Sequence, residues 1–80
     1  MQVLESDVRS IVVEVSGIDK DTDPHADLYL DAGMASFHAL QLLIELEERF
    51  GVSIPDGDFA EATTIAELTS TLNAALEKHA

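Results

Sequence analysis

Apolar residues recur at Val8, Ile11, Val12 and Val15. This is the i, i+3, i+4, i+7 spacing that gathers side chains on one face of a helix. It predicts a first helix over about residues 4–16, ended by Gly17 as a left-handed terminator. All four positions are β-branched, which lowers helix propensity, so packing must hold this element. The second pattern is clearer. Leu42, Leu43, Leu46 and Phe50 form an inward stripe, and His38, Gln41, Glu45 and Glu48 an outward one, over a helix from about 36 to 50 that stops at Gly51. Phe37, Leu40 and Ile44 widen the apolar arc beyond what one packing face needs.

Val52-Ser53-Ile54-Pro55-Asp56 reads as an extended connector, since the residue before a proline avoids the helical region. Asp58 to Ala62 predicts a short third helix. Thr64 and Glu67 have capping-box spacing, and Ile65, Leu68, Leu72 and Leu76 carry a last helix to about Lys78. The sum is an all-α fold, a four-helix bundle of three longer helices and one short one in a single domain over residues 1–80. Ile18 to Ala35 remains as a first loop of eighteen residues, a length that is often functional in a compact domain. Leu28, Tyr29 and Leu30 are expected to pin its middle to the core.

Four basic and sixteen acidic residues give a net charge of −12. This argues against nucleic acid and anionic membranes, which need basic patches, and favours docking on basic partner surfaces. Cysteine is absent, so the protein supplies neither disulfides nor a thiolate of its own. No signal peptide or membrane span is expected, because no unbroken apolar run, Leu42-Leu43-Ile44 included, exceeds three residues, and the location expected is the cytoplasm.

Most candidate chemistry fails on spacing. Asp19, Asp21 and Asp23 begin like a calcium loop, but Pro24 stands where glycine is needed and Leu30 where the bidentate glutamate should be. His25, His38 and His79 are scattered without a cysteine partner, so no metal site is expected; His79 suits the negative end of the last helix. A Ser36-based hydrolase would need His38 beside it. Two residues along a helix puts that imidazole about 200° away, and G-x-S-x-G is broken because position 38 is not glycine. No enzyme is expected.

Ser36 itself stands where the Asp31-Ala32-Gly33-Met34-Ala35 loop meets the second helix. As an N-cap, its removal would cost about 1 kcal/mol. As an attachment point, it would offer a primary hydroxyl at the positive end of a helix dipole, where a phosphodiester is favoured by free N–H groups.

Residues 27–56, DLYLDAGMASFHALQLLIELEERFGVSIPD, resemble the phosphopantetheine-attachment region of acyl carrier proteins. The cues are Gly33 three residues before Ser36, Phe37 after it, Glu47-Glu48 and Phe50 at the helix end, and Ile54-Pro55-Asp56 beyond. The resemblance implies a stand-alone, monomeric carrier without catalysis of its own. Ser36 would take a 4'-phosphopantetheine arm from coenzyme A through a phosphopantetheinyl transferase. The arm's thiol would then hold an acyl or aminoacyl group as a thioester, which explains the lack of cysteine. A ligase would load it and acyltransferases or synthases would draw on it. Phe37, Leu40 and Ile44 would form the apolar surface near the arm, and Glu45 and Glu48 would meet basic partners.

Three positions depart from the common pattern. Ala35 replaces an aspartate, and His38 and Gln41 stand where fatty-acid carriers are often acidic. The segment from Ala26-Asp27-Leu28-Tyr29 through Ala32-Gly33 and Ser36-Phe37 to Gln41-Leu42 is closer to carriers loaded with amino acids, while Gly-Met-x-Ser also occurs in polyketide carriers. The alternative from a different class is a small acidic helical interaction module, with Ser36 as a cap only and no prosthetic group.

Overall fold

The computed structural model describes residues 2–78. The expectation for His79 lies outside them. Four helices follow in order: α1 Glu5–Ser16, α2 Phe37–Phe50, α3 Asp56–Glu61 and α4 Ile65–Lys78.

In α1, Val8, Ile11 and Val12 are buried as the spacing requires. The Asp7 carboxylate accepts the N–H of Leu4 at 3.2 Å and closes the start of the helix. Gly17, at φ 73°, donates its N–H back to the Val13 carbonyl and ends it. In α2, Leu42 and Leu46 are buried, with Leu43 and Phe50 packed beside them. Gly51 turns the chain out at φ 64°.

α3 starts two residues earlier than the pattern predicts and stops one earlier. Pro55 supplies the first acceptor, taking the N–H of Phe59 at 3.0 Å. Asp56 and Asp58 thus fall in the first turn, where carboxylates suit the dipole. Phe59, which lies within the predicted third helix, is the residue α3 buries.

α4 begins as expected, with the Thr64 hydroxyl accepting the N–H of Glu67 at 3.0 Å. The return bond goes one residue further back, to the N–H of Thr63 at 3.1 Å. Ile65, Leu68, Leu72 and Ala75 are buried along it.

The core is aliphatic, and every buried residue among those described is hydrophobic. α1 packs on both α2 and α4, and α3 lies against α4. Arg49 of α2 reaches Glu14 of α1 at 3.0 Å, clamping two helices together. Asn73 of α4 bonds both the N–H and the carbonyl of Val3, at 2.7 and 3.1 Å. This fastens the segment before α1 to the last helix.

The long first loop is tied at many points. The Arg9 guanidinium donates to the carbonyls of Lys20 and Thr22. The N–H of Leu28 donates to Thr63 and that of Ala66 to Pro24, joining the loop to the entry of α4. Ile18, Leu28 and Met34 are its buried anchors. Leu30 is not one of them, contrary to expectation: it is 85% exposed. Asp31 donates its N–H to the Asp27 carbonyl, so residues 27–31 make one helical turn. Within such a turn, the residue two after buried Leu28 faces away from the core.

Candidate functional site

The approach to Ser36 is built from the loop's own carboxylates. One oxygen of Asp27 accepts the N–H groups of both Tyr29 and Leu30 at 2.9 Å. Asp31 accepts the N–H of Asp27 at 3.0 Å. The bond from Leu30, and after it that from Tyr29, lowers the pKa of the Asp27 carboxyl, with burial opposing. Asp19 and Asp23 each accept the N–H two residues on in the same manner. The acidic loop is therefore a run of side-chain-stapled turns.

The Met34 N–H then bonds the Leu28 carbonyl at 2.8 Å and folds the chain back. Gly33 makes that reversal possible at φ 79°, a left-handed value costly for other residues. With Met34 buried, the next residues are delivered to the surface at the start of α2.

Ser36 is exposed there. Its backbone is already helical, at φ −62° and ψ −28°, and its side chain makes no capping bond. The N-cap expectation is therefore corrected. A capping side chain needs an extended residue whose oxygen can turn back on the N–H groups ahead, and Ser36 does not have that backbone. The helix opens instead with tight i to i−3 bonds, from His38 to Ala35 and from Ala39 to Ser36, each 3.0 Å. The hydroxyl is left free.

The surface around it is apolar. Phe37, Leu40 and Ile44 are exposed at 76%, 66% and 45%, at spacings that share the side of α2 opposite the core. No acidic residue lies in the first turn. His38, expected on the outward stripe, is half-buried, with its Nδ1 enclosed and without a partner. Its ring lies 4.2 Å from that of Phe37. Glu45 is paired with Arg49 at 3.4 Å, whereas Glu48 is exposed.

No group of ligating side chains suited to a metal is found among the described residues. Nor is any described helix long and apolar enough to cross a membrane. A depression of about 720 Å³ between α3 and α4, with Asp58, Glu61 and Glu67 among its lining residues, includes no residue of α2.

A free primary hydroxyl on the positive end of a helix, clear of carboxylates in that turn, suits a phosphodiester. The model of the phosphopantetheine attachment site family matches residues 6–72. The chain belongs to the acyl carrier protein family. It is similar to the hexanoyl form of the acyl carrier protein from the actinorhodin polyketide synthase of Streptomyces coelicolor. The identity is 30% over 100% of this chain and 98% of that one, with a TM-score of 0.83. The acetyl form and the form bearing 3,5-dioxohexyl, a triketide mimic, match over the same shares at 30% identity, with TM-scores of 0.78 and 0.79.

As a member of the acyl carrier proteins, the chain is a covalent carrier and not an enzyme, and its cofactor is 4'-phosphopantetheine. Sequence inspection had singled out Ser36 and the face Phe37, Leu40 and Ile44. It missed Leu30 as a surface residue and Asp27 as the residue that shapes the approach. The Asp27-x-Tyr29 spacing of an Asx turn was the available signal for the latter.

Proposed function

We propose that Ser36 bears the 4'-phosphopantetheine arm and that the exposed Phe37, Leu40 and Ile44 face receives the enzymes acting on it. The observation that carries this is the Ser36 hydroxyl, exposed and free of any capping bond at the start of α2. Gly33 and the Asp27 bonds hold the loop so that this hydroxyl points outward without a search over loop conformations. The N-terminal dipole of α2 favours the phosphodiester, and the absence of acids in its first turn spares it repulsion. When bound, the group supplies the thiol on which cargo is held as a thioester.

The partners under this proposal are a phosphopantetheinyl transferase, a loading ligase, and downstream acyltransferases or synthases, met by a monomer in the cytoplasm. Glu48, and Glu45 beside Arg49, would meet basic residues of the later partners. The cargo is a short acyl chain, as on the matched Streptomyces carriers. A second reading, aminoacyl cargo, rests on the run from Ala26 to Leu42 noted above.

Incubation with coenzyme A, magnesium and a broad-specificity transferase tests the attachment. Mass spectrometry should show one phosphopantetheine adduct, absent from Ser36→Ala. No adduct with several transferases would instead favour the acidic interaction module. Loading the modified chain with acyl against aminoacyl donors then separates the two cargoes.

A further inference from the structure

We infer that the chain has a second docking surface, the groove between α3 and α4, and that its occupant is a basic helical segment of a partner protein. This goes beyond the proposed role of Ser36, because the groove includes no residue of α2. A partner held there leaves the serine end open to an enzyme.

The groove has a volume of about 720 Å³. One wall is α4, whose Ala66, Ser70 and Ala74 line it at i, i+4 spacing, a row about 12 Å long on one side of the helix. α4 buries Ile65, Leu68, Leu72 and Ala75 against the rest of the fold, whereas Ser70 and Ala74 are exposed. The row is therefore a helix face left without a partner among the described residues. The separation of two packed helices is set by the side chains at their contact. Residues this small let a second helix come close.

Charge selects the occupant. Asp58 and Glu61 line the groove from α3 and Glu67 from α4, and no Lys or Arg lines it. Asp58 and Glu61 are exposed and take part in none of the ion pairs among the described residues. Glu67 accepts the N–H and the hydroxyl of Thr63 through one carboxylate oxygen. Arg9 and Arg49 are engaged elsewhere, with the first loop and with Glu14 and Glu45. Lys78 stands one turn beyond Ala74 in the same row. The negative charge thus gathers at the Ala66 end, and the occupant's basic residues lie at that end. An apolar helix would strip water from these carboxylates without compensating them, and an anionic ligand would be repelled. Pairs between exposed charges are weak, so the association is weak and salt-sensitive.

The probe is a blocked, alanine-rich peptide of about eighteen residues with lysines at i, i+4 and i+8, long enough to be helical in water. Its titration into the full chain, followed by amide chemical shifts, should perturb Glu61, Ala66 and Ser70 but not Leu40 or Ile44. Asp58→Asn combined with Glu61→Gln should weaken binding about tenfold. Asp19→Asn combined with Asp21→Asn removes the same charge from the first loop and should change it less than about twofold. Ser70→Gln fills the row at unchanged charge and should weaken binding as well. Circular dichroism should show all three variants folded. Phosphopantetheine transfer to Ser36 should keep its rate with the peptide at saturation. No binding, equal losses from the two charge pairs, an unaltered affinity for Ser70→Gln, shifts centred on Leu40 and Ile44, or slower transfer would each overturn the inference. An adduct missing from the wild type would sink the Ser36 reading alone, since the binding measurements do not depend on it.

Discussion

The Glu47 carboxylate accepts the backbone N–H of Ile54 at 2.8 Å, across the turn that ends α2. The carbonyl of the same residue accepts the N–H groups of Gly51 and Val52. Glu47 thus holds the exit of the helix with both its main chain and its side chain. It also sets Ile54, which is buried, and Pro55, which supplies the first acceptor of α3. The spacing of an acidic residue before Phe50 and Ile54-Pro55-Asp56 has a mechanical cause. Glu47→Ala should cost about 1–3 kcal/mol, the range for losing a partly buried bond to a charged group. Urea denaturation measures it. Glu47→Gln, which keeps an acceptor oxygen, should cost less than Glu47→Ala, and equal losses would show that the bond is not the cause.

Ser36→Ala should abolish the adduct while leaving stability within about 0.5 kcal/mol of wild type, the range for surface substitutions. Treated as an N-cap, the same serine would cost about 1 kcal/mol to remove. The helical backbone of Ser36 decides for the smaller figure. Thermal melts of the two proteins, compared before modification, check it.

Gly33→Ala tests the turn that presents the serine. An added Cβ would meet nothing within 4 Å, so the penalty is purely that of the left-handed backbone. It should be about 1–2 kcal/mol. If the alanine protein instead relaxes to a different loop, adduct formation should slow at nearly unchanged stability. Measuring both quantities on one sample distinguishes the outcomes.

Much of the fold was legible because its signals are local. The 3.6-residue spacing of Val8 to Val15 and of Leu42 to Phe50, with glycines closing each run, fixed α1 and α2 within one residue. What could not be read depends on the folded backbone. Whether Ser36 caps α2 is decided by its ψ, which no neighbour announces. Leu30 is an ordinary core residue by type and is exposed only because residues 27–31 close into a helical turn. The start of α3 slipped because Asp56-Gly57 reads as a loop until Pro55 is seen accepting the N–H of Phe59. Glu45 and Glu48 look alike in sequence, and only the position of Arg49 makes one of them a paired charge.

Asn73 was silent in the sequence for the same reason. Its amide faces Val3, seventy residues away, and matches both backbone groups of that residue. Asn73→Ala should cost about 1–2 kcal/mol, as expected for two net hydrogen bonds to a partly buried backbone. Amide exchange at Val3 should rise more than at Val8, which is held within the core of α1. Uniform acceleration across the chain would mean that the bond supports the whole fold and not the entry to α1 alone.

Acid should weaken the loop before it affects the helices. The Asp27 carboxyl has its folded pKa below the ordinary 3.8, chiefly through the Leu30 N–H and then that of Tyr29, with burial opposing. A depressed folded pKa means that the charged form is favoured by folding. The contribution is complete above the unfolded value and is lost as pH falls through the folded one. Asp27→Asn keeps an acceptor oxygen but removes the charge. The stability difference between wild type and Asp27→Asn should therefore be constant above about pH 5 and shrink below it. Relief of repulsion in a chain of net charge −12 works the other way over the same range, in both proteins alike. Only the difference between the two isolates Asp27. Denaturation curves from neutral to acid pH provide it, and a difference that grows on acidification would show that the loop is not held by the ionised carboxylate.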